Sequence, residues 1–368
     1  MRKILQKLLK KPLLWLAQKL SSSPRKEKVF SSLDVLLKNI RDRKTGYPPT
    51  IPFDMNTARF IILSDQHKGG GGAADDFRNV ENTYMYALQH YYDEDFTFIN
   101  LGDCEELWES TPSKVVEKNR LTLLEEAQFL AGARYHRIYG NHDLEWHYAI
   151  QQNLYLKPIF VPALTVYEGL LLTTKYKEKD YSIFLAHGHQ GDQRSDGNAF
   201  SKWFVAAIWT PIQRYLEISL DVISDFFELV DKHNIIMYEW SATQQNLLFI
   251  SGHTHKPVFA SLDHIDRLTT QLEKAMENND VALATSIKEE LERRKQEYAG
   301  KKFVKTMAKP TYFNTGCCCF ADGDLTGIEI DGGFIRLVKW KPEGKKGVRI
   351  VLEESPLEYL FELIGTQD

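Results

Sequence analysis

A layered α/β fold is what this sequence predicts, and three observations predict it. Short apolar runs alternate with stretches of helical periodicity from residue 60 to residue 139, as strands joined by helices do. Further apolar runs crowd the last third of the chain and make it strand-rich. Five short polar clusters follow predicted strands or open the loops after them, where α/β sheets gather their ligands. With 368 residues, 43% hydrophobic, 12% aromatic and 26% charged, the chain can bury a sizeable core and is unlike a disordered, fibrous or collagen-like polymer.

The head of the chain stands apart in charge. Residues 1–28 carry nine Lys or Arg against the single acid Glu27, 9 − 1 = +8, which leaves 37 − 49 = −12 on the remainder. Ile4, Leu5, Leu8, Leu9, Leu13, Leu16 and Leu20 recur there at helical spacing among lysines, with Trp15 placed for an interface, so the segment suits an anionic membrane surface. A helix docked on its own domain or a basic tail fits the same residues, and Pro12 would kink or break a helix. No apolar run approaches the roughly 20 residues a bilayer span needs, and no small-residue cleavage site follows one. Of four Cys, three are contiguous, a poor disulfide framework that points to a reducing compartment. The expectation is a cytoplasmic protein, peripheral on the inner face of a membrane. The acidic remainder argues against broad capture of nucleic acid.

A second amphipathic stretch, 30–41, leads to a Gly- and Pro-rich linker at 44–52, so residues 1–50 read as an N-terminal segment and linker ahead of a domain at 51–368. That domain begins with a strand at 60–63, a helix at 76–91, a strand at 96–101, a helix at 114–130 and a strand at 135–139. Strands at 164–173, 181–186, 247–251, 312–320, 325–330, 334–340 and 348–352 follow. Two helical insertions interrupt them. Residues 196–246, rich in groups such as Trp203, Trp209 and Phe226, read as a cap over the site. Residues 262–299 read as an antiparallel hairpin turning at Asn278-Asn279-Asp280.

The chemistry lies in the five clusters: Asp65-x-His67, Gly102-Asp103-x-x-Glu106, Gly140-Asn141-His142-Asp143, His187-x-His189, and Gly252-His253-x-His255. Carboxylate oxygen beside imidazole nitrogen suits Mn, Fe or Zn. Each cluster alone is weak, since a lone Gly-Asp is commonly a turn and a lone His a hydrogen-bonded core or surface residue. The ordered set resembles the calcineurin-like metallophosphoesterase superfamily over roughly residues 58–340, apart from the two insertions.

That resemblance implies a four-layer α/β/β/α sandwich holding two divalent metal ions. It assigns Asp65, His67 and His255 to one metal and Asn141, His187 and His253 to the other, with Asp103 bridging. It further implies hydrolysis of a phosphate ester or phosphoanhydride by a metal-bridging hydroxide. His142 then protonates or stabilises the leaving oxygen, and Glu106 orients His142 through a hydrogen bond. Arg194 is a candidate substrate contact, with Asp192 and Asp196 beside it, and His189 is a candidate neighbour of the metal ligands. The run Gly69 to Gly72 lacks the lysine and spacing of a P-loop. Cys104 and Cys317 to Cys319 make no zinc pattern, and Asn314-Thr315-Gly316-Cys317 is similar to a turn in which the family carries Ser.

Within the superfamily, Gly102-Asp-x-x-Glu-Leu-Trp108 and the helical insertion after His187 look similar to UDP-2,3-diacylglucosamine pyrophosphohydrolases. His142 stands where those enzymes typically carry Arg. The substrate is therefore a phosphorylated small molecule, nucleotide or lipid. Some proteins of this fold are scaffolds without metal chemistry, but here every ligand position holds a competent side chain.

Overall fold

Apolar runs such as Phe60-Ile61-Ile62-Leu63 carry no polar alternation, which dictates strands covered on both faces. The computed structural model describes residues 25–72, 75–191, 227–263, most of 269–297, 309–344 and 346–365. In chain order the elements begin with α1 (Lys26–Arg41), β1 (Ile51–Pro52), β2 (Arg59–Leu63), α2 (Glu81–Asp93) and β3 (Thr97–Leu101). There follow α3 (Pro112–Lys118), α4 (Arg120–Ala131), β4 (Tyr135–Ile138), β5 (Val166–Tyr167), β6 (Gly169–Tyr176) and β7 (Lys179–Ala186). Next are α5 (Phe227–Thr243), β8 (Leu247–Ser251), β9 (Val258–Phe259), β10 (Leu262–Asp263) and α6 (Val281–Glu297). The last are β11 (Tyr312–Asn314), β12 (Leu325–Asp331), β13 (Phe334–Glu343), β14 (Lys346–Pro356) and α7 (Leu357–Gly365).

The strands form two seven-stranded sheets, ordered β14-β13-β12-β2-β3-β4-β5 and β1-β6-β7-β8-β11-β9-β10. Strands β2, β3, β4 and β5 run parallel, as do β7, β8 and β11, so their carboxyl ends form two rows. Side chains alternate across each strand. In β2, Phe60 and Ile62 enter the core between the sheets with Ile99, Leu172, Ile183 and Ile250. Ile61 and Leu63 face the other way, into a core shared with Tyr84, Tyr91, Leu123 and Phe129 of α2 and α4. On the far side of the second sheet, Phe184 and Phe249 pack with Leu33 and Leu36 of α1 and Met237 and Trp240 of α5. The result is helix, sheet, sheet, helix, the four layers the resemblance implies.

Two placements differ from the sequence-based expectation. Residues 26–41 belong to the outer layer of the sandwich instead of preceding it, because Val29, Leu33, Leu36, Leu37 and Ile40 make one apolar stripe that the second sheet covers. Lys26 pairs with Glu239 at 2.8 Å, and Trp240 Nε1 donates to Asp34 at 2.9 Å, fastening α1 to α5. The Leu33→Ala variant is expected to lose about 2–5 kcal/mol of stability. An unchanged urea midpoint would show that the helix adds nothing. Likewise, the described end of the expected cap, residues 227–243, packs on the outer face of the second sheet through Met237 and Trp240. Residues 192–226, including Arg194, and residues 1–24 lie outside the described residues.

Of the expected hairpin, the described residues include the helix α6, and Ala275, Ile287 and Leu291 form a small cluster beside Leu272 and Ala284. Leu262 and Asp263, expected as its first residues, pair as a strand with Phe259 and Val258. The helix expected at 114–130 is two helices meeting at Asn119, whose side-chain Nδ2 donates to Gly69 O at 2.8 Å. The unexpected α7 buries Leu357, Leu360 and Phe361 at the edge of the inter-sheet core, with Phe361 stacked on Tyr181 at 4.5 Å.

Candidate metal centre

The loops after β2, β3, β4, β7 and β8 meet at one place, and their backbones explain why glycine opens three of the motifs. A Cβ on Gly140 would stand 2.1 Å from Asp103 Oδ1, and one on Gly252 would stand 2.5 Å from Asp65 Oδ2. Only glycine lets a neighbouring carboxylate come so close. Asp65, His67, Asp103, His253 and His255 all have positive φ, from 48° to 69°, a region costly for residues with a Cβ. Hydrogen bonds between loops hold them there: Asp65 N–H donates to Gly102 O at 3.0 Å, and His67 N–H to Asp103 O at 3.0 Å.

Two donor sets result. Potential ligand atoms of Asp65, His67 and His255 lie within 4.8 Å of one another, and so do those of Asp103, His187 and His253. His255 Nε2 is 3.2 Å from Asp65 Oδ1 and 3.1 Å from His67 Nε2. Asp103 Oδ2 stands between the sets, 3.0 Å from His187 Nε2 and 3.8 Å from His67 Nε2. Asn141 Oδ1, His187 Nε2 and His253 Nε2 are buried with no hydrogen-bond partner. Buried polar atoms are rarely left so, and a cation would satisfy all three. The donor set therefore fits divalent metal ions.

The opposite face of each ring is already engaged. His187 Nδ1–H donates to Leu101 O at 2.8 Å, and His67 Nδ1–H to Glu106 Oε2 at 3.0 Å, so each ring presents Nε2 to the donor sets. Burial alone would lower the pKa of His187, but Asp103 and Asp65 push it up to about 9. Burial would raise Asp103, yet His187 and His142 hold it well below the usual carboxylate range. His253 is lowered by burial and by His233 and His187, so its ring stays neutral.

Glu106 serves two rings with one oxygen. Its Oε2 accepts from His142 Nδ1 at 2.7 Å as well as from His67. Trp108 stacks on the His142 ring at 4.0 Å and 21°, and its backbone N–H donates to Glu106 Oε1 at 3.1 Å. Burial opposes a charged His142, but Glu106 and Asp103 outweigh it and raise its pKa. Burial, with Glu106 adding, pushes Glu109 up to about 8.

Several further residues surround the site, of which His233 carried no legible signal. Helix α5 brings His233, whose Nε2–H donates to Gly188 O at 2.7 Å and whose ring lies 5.1 Å from that of His253. Asn314 Nδ2 donates to Gly252 O at 2.6 Å, bracing the turn that presents His253. His189 is buried with its ring 5.6 Å from that of His187. The amides of Gly69 and Gly71 donate to the Asp75 carboxylate, at 3.2 and 2.7 Å, so a protein carboxylate occupies that glycine run.

Behind these loops lies a buried ionic network. Arg137 bonds to Glu105 and lies 4.0 Å from Asp143, while Lys68 pairs with Glu126 at 2.6 Å. Glu105 also accepts from Trp146 Nε1 at 2.8 Å. Asp143 accepts from Gly140 N–H at 2.6 Å and Cys104 N–H at 2.9 Å, tying the loops after β4 and β3 together.

No protein-family model and no curated protein matches the sequence. Among solved structures the chain is similar to Vacuolar Protein Sorting 29 from Cryptosporidium parvum, at 12% identity and a TM-score of 0.33, over 81% of this chain and 98% of that one. A likeness that distant leaves the chemistry to be judged on the residues themselves.

Proposed function

We infer that the protein is a metal-dependent phosphohydrolase acting on a phosphate ester or phosphoanhydride. The observation that carries this reading is the Asp103 carboxylate between two donor sets, with buried donor atoms of Asn141, His187 and His253 left unsatisfied. Asp65, His67 and His255 would hold one cation and Asn141, His187 and His253 the other, with Asp103 shared. Bound divalent cations supply Lewis-acid stabilisation of charge on a phosphoryl group.

The chain's own groups do the rest. Glu106 keeps the Nδ1 proton of His142 and favours the imidazolium, and Trp108 fixes the plane of the ring. The imidazolium gives a proton to the leaving oxygen as the phosphorus–oxygen bond breaks. The acid and the ligand His67 are oriented by the same Glu106 oxygen, so the proton donor keeps a constant position relative to the first donor set.

The test is hydrolysis by the purified protein with Mn²⁺ of a chromogenic monoester, a chromogenic diester and a UDP-linked pyrophosphate. At least one is expected to turn over, to stop on chelation and to resume when Mn²⁺ returns. The preferred member chooses among phosphatase, phosphodiesterase and lipid-linked pyrophosphatase readings. Metal-loaded protein inert toward all three would favour a metal-binding scaffold and overturn the assignment.

A further inference from the structure

Next to the donor sets lies a third cluster of different chemistry. Cys317, Cys318 and Cys319 follow the Asn314 turn, with a bend at Cys318. Cys318 goes into the core behind the first sheet, with its Sγ 3.8 Å from Thr326 O. Cys317 and Cys319 go the other way, their thiols hydrogen-bonded to each other. Cys319 Sγ lies 3.9 Å from His255 Nδ1, and potential ligand atoms of His255, Cys317 and Cys319 are within 4.8 Å of one another.

Those separations approach the spacing of a tetrahedral ligand set. Bonds of about 2.3 Å to sulfur and 2.0 Å to nitrogen place tetrahedral ligand atoms about 3.5–3.8 Å apart. Thiols and imidazole select soft or borderline cations, whereas the carboxylate, amide and imidazole donors beside them favour harder ones. Cys319 and His255 are partly exposed, which leaves a route for a cation and a place for water as a fourth ligand.

We propose that Cys317, Cys319 and His255 Nδ1 form a separate site for a soft divalent cation such as Zn²⁺ or Cd²⁺. Each thiol releases its proton to solvent as its sulfur takes the cation, and His255 binds through Nδ1 with its ring proton on Nε2, a proton that is also released when Nε2 ligates the first set; no oxidation state changes. The site shares His255 with the Asp65 and His67 set, whose side the Nε2 atom faces. The proposal stands on this geometry and not on the hydrolase reading.

Cd²⁺ alone is the probe, titrated into chelator-treated protein kept reduced with a phosphine and followed by thiolate-to-metal charge-transfer absorption in the ultraviolet. One equivalent is expected to saturate the band. Cys319→Ala, and separately Cys319→Ser, should weaken Cd²⁺ binding about 100-fold, the upper end of what loss of even an outer partner of a ligand costs. Cys318→Ala should keep the band because that sulfur faces the core, and Asp103→Asn should keep it because Asp103 is outside the set. Thermal unfolding confirms that each variant is folded. Absence of the band in the native chain, or its survival in both Cys319 variants, overturns the site, and neither result bears on phosphate hydrolysis.

Discussion

Replacing Asp103 with Asn is expected to lower kcat/KM for the preferred phosphate substrate by roughly 1,000-fold or more. The shared carboxylate is one of seven candidate ligands, and its Oδ2 lies 3.0 Å from His187 Nε2 and 3.8 Å from His67 Nε2. Metal ions contribute several kcal/mol to stabilising a phosphoryl transition state, and every 1.36 kcal/mol lost is about tenfold in rate. Asn matches the shape of Asp and keeps an oxygen for the His142 N–H, which donates to Asp103 Oδ1 at 2.8 Å, so the loop should hold. Steady-state kinetics, elemental analysis of bound metal and circular dichroism check the three parts. Native-like turnover with full metal content would sink the role given to Asp103, and with it the two-set arrangement.

Arg137→Met is expected to cost about 3–5 kcal/mol of stability, the usual result of stripping one partner from a buried ion pair. Arg137, Glu105 and Asp143 are fully buried, so water cannot take over the lost charge. Burial, with Asp103 and Glu105 adding, already pushes Asp143 up to about 6, and Arg137 opposes that shift. Without the guanidinium, Asp143 would favour its neutral form and grip the amides of Gly140 and Cys104 less firmly. Adding Glu105→Gln should recover part of the loss, because the stranded carboxylate is then neutral. Urea unfolding of the single and double variants checks this. A single variant within about 0.5 kcal/mol of the native chain would mean that the network carries no net weight.

The loops that gather the two donor sets were legible because their residues are written in short local clusters that follow apolar runs. Strand 247–251 agrees with expectation to the residue, and strands 97–101 and 135–138 to within one. What stayed hidden depended on distant partners. Nothing local in Arg137 says that it will be buried against Glu105, 32 residues earlier. Nor does His233 announce a place beside His253, since α5 reads as an apolar helix whichever surface it covers. The stripe of α1 was visible, but a stripe does not name the face that receives it. Cys317 and Cys319 fit no spacing rule because their third neighbour, His255, lies 62 positions before Cys317.

The order of strands in the first sheet also has a consequence for biosynthesis. Strand β2 sits between β3, its close successor in sequence, and β12, with Ile62 registered against Ile328. Until the ribosome has passed residue 331, β2 has only one flank covered, and an apolar edge waits for a partner 328 − 62 = 266 positions away. At about 5–20 residues per second that interval lasts some tens of seconds. The nascent chain must keep that edge from pairing with other chains throughout, so completion of the sheet, and of the loops it positions, is a late event in the life of each molecule.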